Sequence, residues 1–126
     1  MSDGAPYDAE LERQLLGSVL IGGFKTAIED YAVDVEWFFD LRNQEVWTAC
    51  EQVAADGGEV DVASVGIKCK TVQFLDLNNL ADLSPSATNT CFYAEALRRV
   101  HVRRKVWIEL MVSRQGKQDK RSPRAT

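Results

Sequence analysis

The sequence predicts an all-α fold, a compact orthogonal bundle of about six helices whose last helix is long. Three observations carry this prediction. Apolar residues recur at helical spacing along most of the chain. Capping residues and glycines mark where these stretches begin and end. No stretch alternates apolar and polar residues for long enough to form a strand, and 126 residues leave room for one domain with one core.

The first helix is predicted to begin after Asp8, whose carboxylate can cap it, and to end at about Ile21. Gly22 and Gly23 interrupt the pattern, and a second, shorter helix follows them. The apolar residues expected to face the core in these two helices are Leu11, Leu15, Leu16, Val19, Leu20, Phe24, Ala27, Ile28 and Tyr31.

Three adjacent aromatic residues, Trp37, Phe38 and Phe39, occupy the next connector and are predicted to plug the core, because each ring buries a large apolar area. A third helix is predicted from about Leu41 to Asp56, with Gly57 just past its end. One clean apolar face of this helix contains Val46, Trp47, Cys50, Val53 and Ala54.

Two short helices are predicted next. Asp61 caps the first of them, which runs from Val62 to about Lys70. The second runs from about Phe74 to Leu83 and ends at a turn over residues 84–86. Leu75, Leu80 and Leu83 are expected to be its buried residues.

The longest helix is predicted to end near Val112, with Ser86, Thr88 or Asn89 as its cap. Its apolar stripe contains Tyr93, Ala96, Leu97, Val100, Trp107 and Met111, and Arg104 lies within that stripe. An arginine there can extend to the surface, pair with a buried carboxylate or face a partner, and structural pairing with an acid of the first helix is the favoured interpretation. The predicted organisation is a flexible N-terminus (1–7), a helical domain (8–112) and a basic, disordered tail (113–126).

The net charge of −4 conceals a division of the chain into an acidic body and a basic end. Residues 1–97 hold 5 Lys and Arg against 17 Asp and Glu, a balance of −12. Residues 98–126 hold 10 against 2, a balance of +8. The basic end could meet phosphate, an acidic partner or the acidic body of a second copy.

The residues that enzymatic chemistry needs are missing from the sequence. No Gly-x-x-x-x-Gly-Lys-Ser/Thr loop is present, and no histidine stands beside a nucleophile and an orienting acid. Cys50, Cys69 and Cys91 are widely spaced and His101 is the single histidine, so no zinc site is expected. We therefore expect no catalysis, no metal and no cofactor. The polar, acidic start and the lack of a long apolar run favour a cytoplasmic protein.

Several short segments follow one another in a characteristic order, and together they resemble the N-terminal domain of replicative DnaB-type helicases over about residues 8–108. Asn43 stands where that family has histidine, and the loop at residues 69–73 is shorter than the family's. The segments are Glu10-x-Glu12-x-x-Leu15-Leu16-Gly17, Phe38-Phe39, Val46-Trp47, Gly57-x-x-Val60-Asp61-Val62-x-Ser64-Val65, Pro85-Ser86-Ala87-x-Asn89 and Tyr93-Ala94.

The resemblance implies a non-catalytic interaction domain, without the helicase's ATPase domain, in a bacterial or phage-infected bacterial cell. It implies self-association as a dimer and binding of primase, a helicase loader or the replicative helicase. The long helix offers an apolar stripe to a partner helix, as in other helix-in-groove contacts. The candidate partner interface is Tyr93, Leu97, Val100, Arg104, Trp107, Ile108 and Met111.

Nucleic-acid binding by the basic end, or a phage-type modulator of the host helicase, is the alternative function. Phosphate contacts from arginine and lysine would carry nucleic-acid binding, and steep salt dependence would reveal them. A solvated helix face is the simpler interpretation, because the acidic body repels the same phosphates. The candidate contacts to nucleic acid or to an acidic partner are Arg98, Arg99, Arg103, Lys105, Arg114 and Lys117.

Overall fold

The computed structural model describes the backbone of residues 5–124 and the side chains of residues 5–114. All of the regular structure in this range is helical, which confirms the predicted all-α fold. The α-helices are α1 (Ala9–Ser18), α2 (Phe24–Glu29), α3 (Leu41–Ala55), α4 (Val62–Lys68), α5 (Phe74–Asp82) and α6 (Thr90–Arg124), with short 3₁₀ turns at Val35–Trp37 and Ala87–Asn89. Between residues 5 and 124, no helix is long and apolar enough to cross a membrane.

Carboxylates cap the helices where the sequence predicts them. Asp8 accepts a hydrogen bond from the Leu11 amide at 3.0 Å, and Asp61 accepts one from the Ser64 amide at 2.8 Å. Each of these contacts satisfies an amide that the first turn of a helix leaves without an intrahelical partner. Ser86 caps the 3₁₀ turn at Ala87–Asn89, and α6 continues from Thr90.

The break between the first two helices lies where the sequence predicts it. The backbone remains helical after Ser18 and leaves helical geometry at Ile21 and Gly22, where Gly22 adopts a φ of +125°. This left-handed conformation is unfavourable for other residues, so the glycine pair sets the bend between α1 and α2. The bend lets α1 and α2 pack on the same neighbour, because both contact α6.

The core is built around α1, which contacts α3, α5 and α6. Leu15, Leu16 and Val19 are fully buried there, as predicted. Two predicted core residues are exposed instead: Leu75 is 68% exposed and Phe39 is 44% exposed. On α5 the buried residues are Leu77 and Leu80, so the prediction is confirmed for Leu80, whereas Leu75 lies about 200° around the helix from Leu77.

Regular structure and contacts reach toward both ends of the described chain. The backbone of α6 is helical up to Arg124, beyond the end predicted near Val112 and through most of the predicted tail. No proline interrupts the helix before Pro123. At the other end, Tyr7 stacks on Phe39 with ring centroids 4.5 Å apart, and residues 1–4 lie outside the described range.

The shortened loop between α4 and α5 is held by a single carboxylate. Glu45 of α3 accepts hydrogen bonds from the Lys70 amide at 2.6 Å, the Thr71 amide at 2.8 Å and the Thr71 hydroxyl. These hydrogen bonds lower the pKa of Glu45 to about 2, and the bond from the Thr71 hydroxyl makes the largest contribution. The loop therefore depends on the charged form of Glu45.

α1 packs closely on α5 at Gly17, and we expect Gly17→Ala to destabilise the fold by at least about 2 kcal/mol. A Cβ atom there would lie 2.1 Å from the Leu80 carbonyl oxygen, so α1 and α5 would have to separate. The measurement is urea denaturation. Gly57→Ala is the control: its φ of +84° costs about 1 kcal/mol, and no atom lies within 4 Å of the added Cβ. Equal losses from the two substitutions would contradict the packing argument.

Acid should weaken the fold through Glu45. Because the folded state lowers its pKa from 4.5 to about 2, the stabilisation is fully present above about pH 4.5 and is lost as the pH falls toward 2. Glu45→Gln should remove this part of the pH dependence. The measurement is the midpoint of urea unfolding across that pH range for both proteins. Parallel pH profiles would show that Glu45 does not stabilise the loop.

Candidate protein-interaction surface

The predicted partner stripe on α6 divides at Arg104 into a buried part and an accessible part. Leu97, Val100 and Arg104 are buried in the domain itself, and Tyr93 is half-buried against the core. The three buried residues cannot contact a partner in this conformation, so the structure corrects their assignment to the partner interface. The apolar pattern of α6 could not distinguish the residues buried in the domain from those accessible to a partner, because a single helix face runs from the core into solvent.

Arg104 holds the chain by donating to three backbone carbonyl oxygens. They are those of Pro6 at 3.1 Å, Glu36 at 3.0 Å and Trp37 at 2.9 Å. The guanidinium also lies 5.7 Å from the centroid of the Phe39 ring, within the range of a cation–π contact. Burial lowers the pKa of Arg104, and the charge of Glu12 opposes that shift. Arg104 is therefore an internal anchor of α6.

Glu12 of α1 makes the complementary set of contacts from the other side. This fully buried carboxylate accepts from the Phe39 amide at 2.7 Å, the Asp40 amide at 3.3 Å and the Asn43 side-chain amide at 2.9 Å. The connector before α3 is thus held through its carbonyls by Arg104 and through its amides by Glu12. The sequence pattern predicts that Arg104 pairs with another group inside the domain. The structure shows that its hydrogen-bond partners are backbone carbonyl groups.

Past Arg104 the same face of α6 leaves the body and remains accessible. Trp107 is half-buried, Ile108 is 45% exposed and Met111 is 38% exposed. We call residues 98–114 of α6 the arm. Further large apolar side chains lie exposed on its other faces, namely Val102, Val106, Leu110 and Val112. A helix that carries apolar side chains on every side is typical of one that is covered in an assembly.

The basic residues of the arm are exposed and have no ion-pair partner within the part of the chain whose side chains are described. That part contains two ion pairs, Arg42–Asp76 at 3.0 Å and Lys68–Asp56 at 2.7 Å, and neither involves the arm. The exposed bases are Arg98, Arg99, Arg103, Lys105 and Arg114, whereas the side chain of Lys117 lies outside the described residues. The arm therefore has cationic groups available to an acidic partner or to phosphate.

His101 lies at the junction of the arm and the connector, and the sequence pattern predicts no role for it. Its ring stacks on Trp37 with centroids 5.7 Å apart. Burial lowers its pKa, the charges of Arg104 and Lys105 lower it further, and Glu36 and Asp34 act in the opposite direction. These acids therefore lie close to the point where α6 leaves the body.

Two open clefts flank α3, and neither contains a catalytic constellation. One, of about 190 Å³, is lined by Arg13, Arg42, Asn43 and Asp76 among others. The other lies beside Glu45 and Lys70. Among the described side chains, no group of three or more His, Cys, Asp or Glu residues could hold a metal ion. The three cysteines are free, and burial raises the pKa of the Cys69 thiol to about 11.

The fold and this surface define a class of protein: a small helical domain whose last helix extends beyond its core. Within that class the chain belongs to the DnaB-like helicase N terminal domain family, whose sequence model matches residues 4–99. The match is to the N-terminal domain and not to the ATPase part of the helicase.

Among the solved structures that match this chain, one example shares the fold over most of its length. It is the N-terminal domain of DnaB helicase from Mycobacterium tuberculosis, with a TM-score of 0.79 and 20% sequence identity. The match covers 90% of this chain and 85% of that chain. A search of curated protein sequences finds no match.

The buried carboxylate of Glu12 should be essential to stability. We expect Glu12→Gln to cost about 2 kcal/mol or more, because an amide group would turn a donor toward the amides of the connector. Glu10→Gln makes the same chemical change at an exposed position of the same helix turn and should cost less than about 1 kcal/mol. Urea denaturation of the two variants gives the comparison. Equal effects would show that the connector does not depend on Glu12.

Proposed function

We propose that this chain is a non-catalytic protein–protein interaction domain of the DNA replication machinery. In this proposal it self-associates as a dimer and binds primase, a helicase loader or the replicative helicase in the cytoplasm of a bacterial or phage-infected cell. Family membership supports a role beside a replicative helicase. The solved relative of the same fold is itself a domain of a DnaB helicase.

The observation that carries the proposal is the accessible face of the arm. Trp107, Ile108 and Met111 continue a face that is buried up to Arg104, yet no element of the described chain covers them fully. Tryptophan and methionine are among the residues enriched in interface cores. Covering this face with another helix removes apolar area from water and supplies the main favourable term of association.

Nucleic-acid binding is the second candidate, and the basic side chains of the arm favour it, because they have no ion-pair partner within residues 5–114. Arginines at this density can contact successive phosphates. The body counts against it, because residues 1–97 carry a balance of −12 and repel the same phosphates. Protein association is therefore the better-supported function. A phage-type modulator that competes with the helicase for its partners would use the same surface of the arm.

Native mass spectrometry of the chain tests the proposal, first alone and then mixed with a cognate replicative helicase and primase. We expect a dimer, or a discrete complex with one of these proteins, and the masses give the stoichiometry. A chain that stays monomeric alone and in both mixtures would refute the interaction function. The fold assignment is independent of this outcome.

Trp107→Ala should weaken association by about tenfold or more, because truncating a central interface aromatic costs 2 kcal/mol or more. Leu75→Ala is the control, since Leu75 is exposed on α5 and away from the arm. Sedimentation velocity over a concentration series gives both dissociation constants. Association that is unchanged by Trp107→Ala would exclude the arm as the interface.

DNA affinity should be weak and should fall steeply with salt if the arm contacts phosphate. Each neutralised phosphate contributes about −0.9 to the slope of log affinity against log salt concentration for duplex DNA. Arg99→Gln should reduce that slope by about one contact, whereas Lys25→Gln on α2 should not change it. Fluorescence anisotropy with a labelled duplex provides the measurement. Binding without salt dependence would rule out phosphate contacts by the arm.

A further inference from the structure

A pair of exposed aromatic rings lies on the body of the domain, one from the segment before α1 and one from the connector. Tyr7 is 54% exposed and Phe39 is 44% exposed, and their rings stack with centroids 4.5 Å apart. Single exposed apolar residues are normal on a protein surface, whereas a contiguous apolar patch is typical of an interaction site. The stack is therefore a candidate contact surface, and α6 does not form it.

The anchors of the connector hold both rings in place. The Phe39 amide donates to Glu12 at 2.7 Å, and Arg104 donates to the Pro6 carbonyl, next to Tyr7, at 3.1 Å. The backbone on each side of the stack is thus fixed before any partner binds. A preformed surface loses little conformational entropy on association, so more of the interaction free energy remains as affinity.

Exposed carboxylates flank the stack. The four residues that form this surface, which we call the connector edge, are Tyr7, Phe39, Asp34 and Glu36. Asp34 and Glu36 are exposed and form no ion pair among the side chains that the structure describes. The guanidinium of Arg104 bonds the carbonyls of Pro6 and Glu36 together, which brings Glu36 close to the segment that carries the stack.

The positive charges near the connector edge do not neutralise its acids. Arg104 is buried beneath it, and the negative charge of Glu12 acts on that guanidinium. Of the exposed charges that act on the nearby His101, two belong to acids of the connector edge and one belongs to Lys105. The body, with a balance of −12 over residues 1–97, adds to the negative potential. A partner that approaches this surface therefore meets an apolar centre with an acidic rim.

We infer that the connector edge is a docking surface for a basic segment of another protein. That segment places an apolar or aromatic side chain against the Tyr7–Phe39 stack and arginine or lysine beside Asp34 and Glu36. Arginine suits this surface best, because it stacks on aromatic faces and pairs with carboxylates. An acidic segment would meet like charges, and a purely apolar one would desolvate the two carboxylates without a partner. This inference rests on the proposed interaction function and adds a contact surface formed outside α6.

Titration of the full, isotope-labelled chain with two synthetic helical peptides tests the docking surface by NMR. The basic peptide presents leucine and tryptophan on one face and arginine on the other, and the acidic peptide has glutamate at every arginine position. We expect the basic peptide to shift the amide signals of residues 7 and 34–39, and the acidic peptide to leave them unchanged. The affinity of the basic peptide should fall as salt is added, because exposed charges are screened.

Substitutions remove the two parts of the contact separately. Tyr7→Ala truncates the stack, and Glu36→Lys reverses a charge of the rim; both side chains are exposed. We expect each to weaken binding of the basic peptide at least about tenfold. Glu36→Gln keeps the shape and removes the charge, so it should weaken binding less than Glu36→Lys does.

The matched controls lie elsewhere on the surface. Leu75→Ala truncates an exposed apolar side chain on α5, and Glu59→Lys reverses an exposed charge on the loop after α3. Both should leave the affinity for the basic peptide unchanged. Urea unfolding curves of every variant show that the fold is intact, and only variants that unfold like the unaltered chain enter the comparison.

Three outcomes would overturn the inference. The first is that the basic peptide does not bind, or binds no better than the acidic one. The second is that it binds, but neither Tyr7→Ala nor Glu36→Lys weakens its binding. The third is that these two variants lower the sedimentation coefficient of the chain alone, because a second copy would then be the occupant of the connector edge.

These outcomes are distinguishable from a failure of the proposed function. A dimer or a helicase complex in native mass spectrometry, together with no peptide binding at the connector edge, would keep the proposed function and overturn the inference. Peptide binding at the connector edge by a chain that forms no complex with helicase or primase would support the docking surface and refute the proposed replication partners.

Discussion

The connector before α3 is held between a buried anion and a buried cation, and the arrangement of three helices depends on that pair. Glu12 of α1 accepts from its amides, and Arg104 of α6 donates to its carbonyls. The connector ends at Asp40, which caps α3. Removing a charge from water is expensive, so each group must keep all of its hydrogen bonds. The pair therefore fixes where α6 leaves the body.

The position of this anchor divides α6 into two parts with different roles. Up to Arg104 its inner face completes the core, and beyond it the same face reaches solvent. The charge also changes along the same helix: Glu95 is the one charged residue before the arm, and residues 98–114 hold six Lys and Arg against one acid. An apolar face rimmed by one sign of charge favours a partner that is apolar at its centre and oppositely charged around it. The architecture of a helicase N-terminal domain is thereby combined with a surface suited to association.

Much of the fold could be predicted because it depends on local chemistry. The caps at Asp8 and Asp61, the end of α3 at Gly57 and the core face of α1 all follow from residue type and helical spacing. The choice between Leu75 and Leu77 as a buried residue of α5 could not be predicted, since the two leucines offer faces of similar hydrophobicity. Packing against α1 and α4 selects Leu77. The position of Phe39 is equally a result of tertiary structure, since its ring lies against Tyr7 and Arg104 at the surface instead of in the core.

The sequence by itself determined the all-helical class, the order of the helices, the split between acidic body and basic end, and the family. These properties depend on residue type, periodicity and composition, which are readable without neighbours. Only the tertiary structure decided that Leu97, Val100 and Arg104 belong to the interior, whereas Trp107 is half-buried and Ile108 and Met111 are exposed. It also revealed Glu12 as the partner of the connector amides. Burial and long-range hydrogen bonding depend on which segments meet in space, and spacing along one helix does not contain that information.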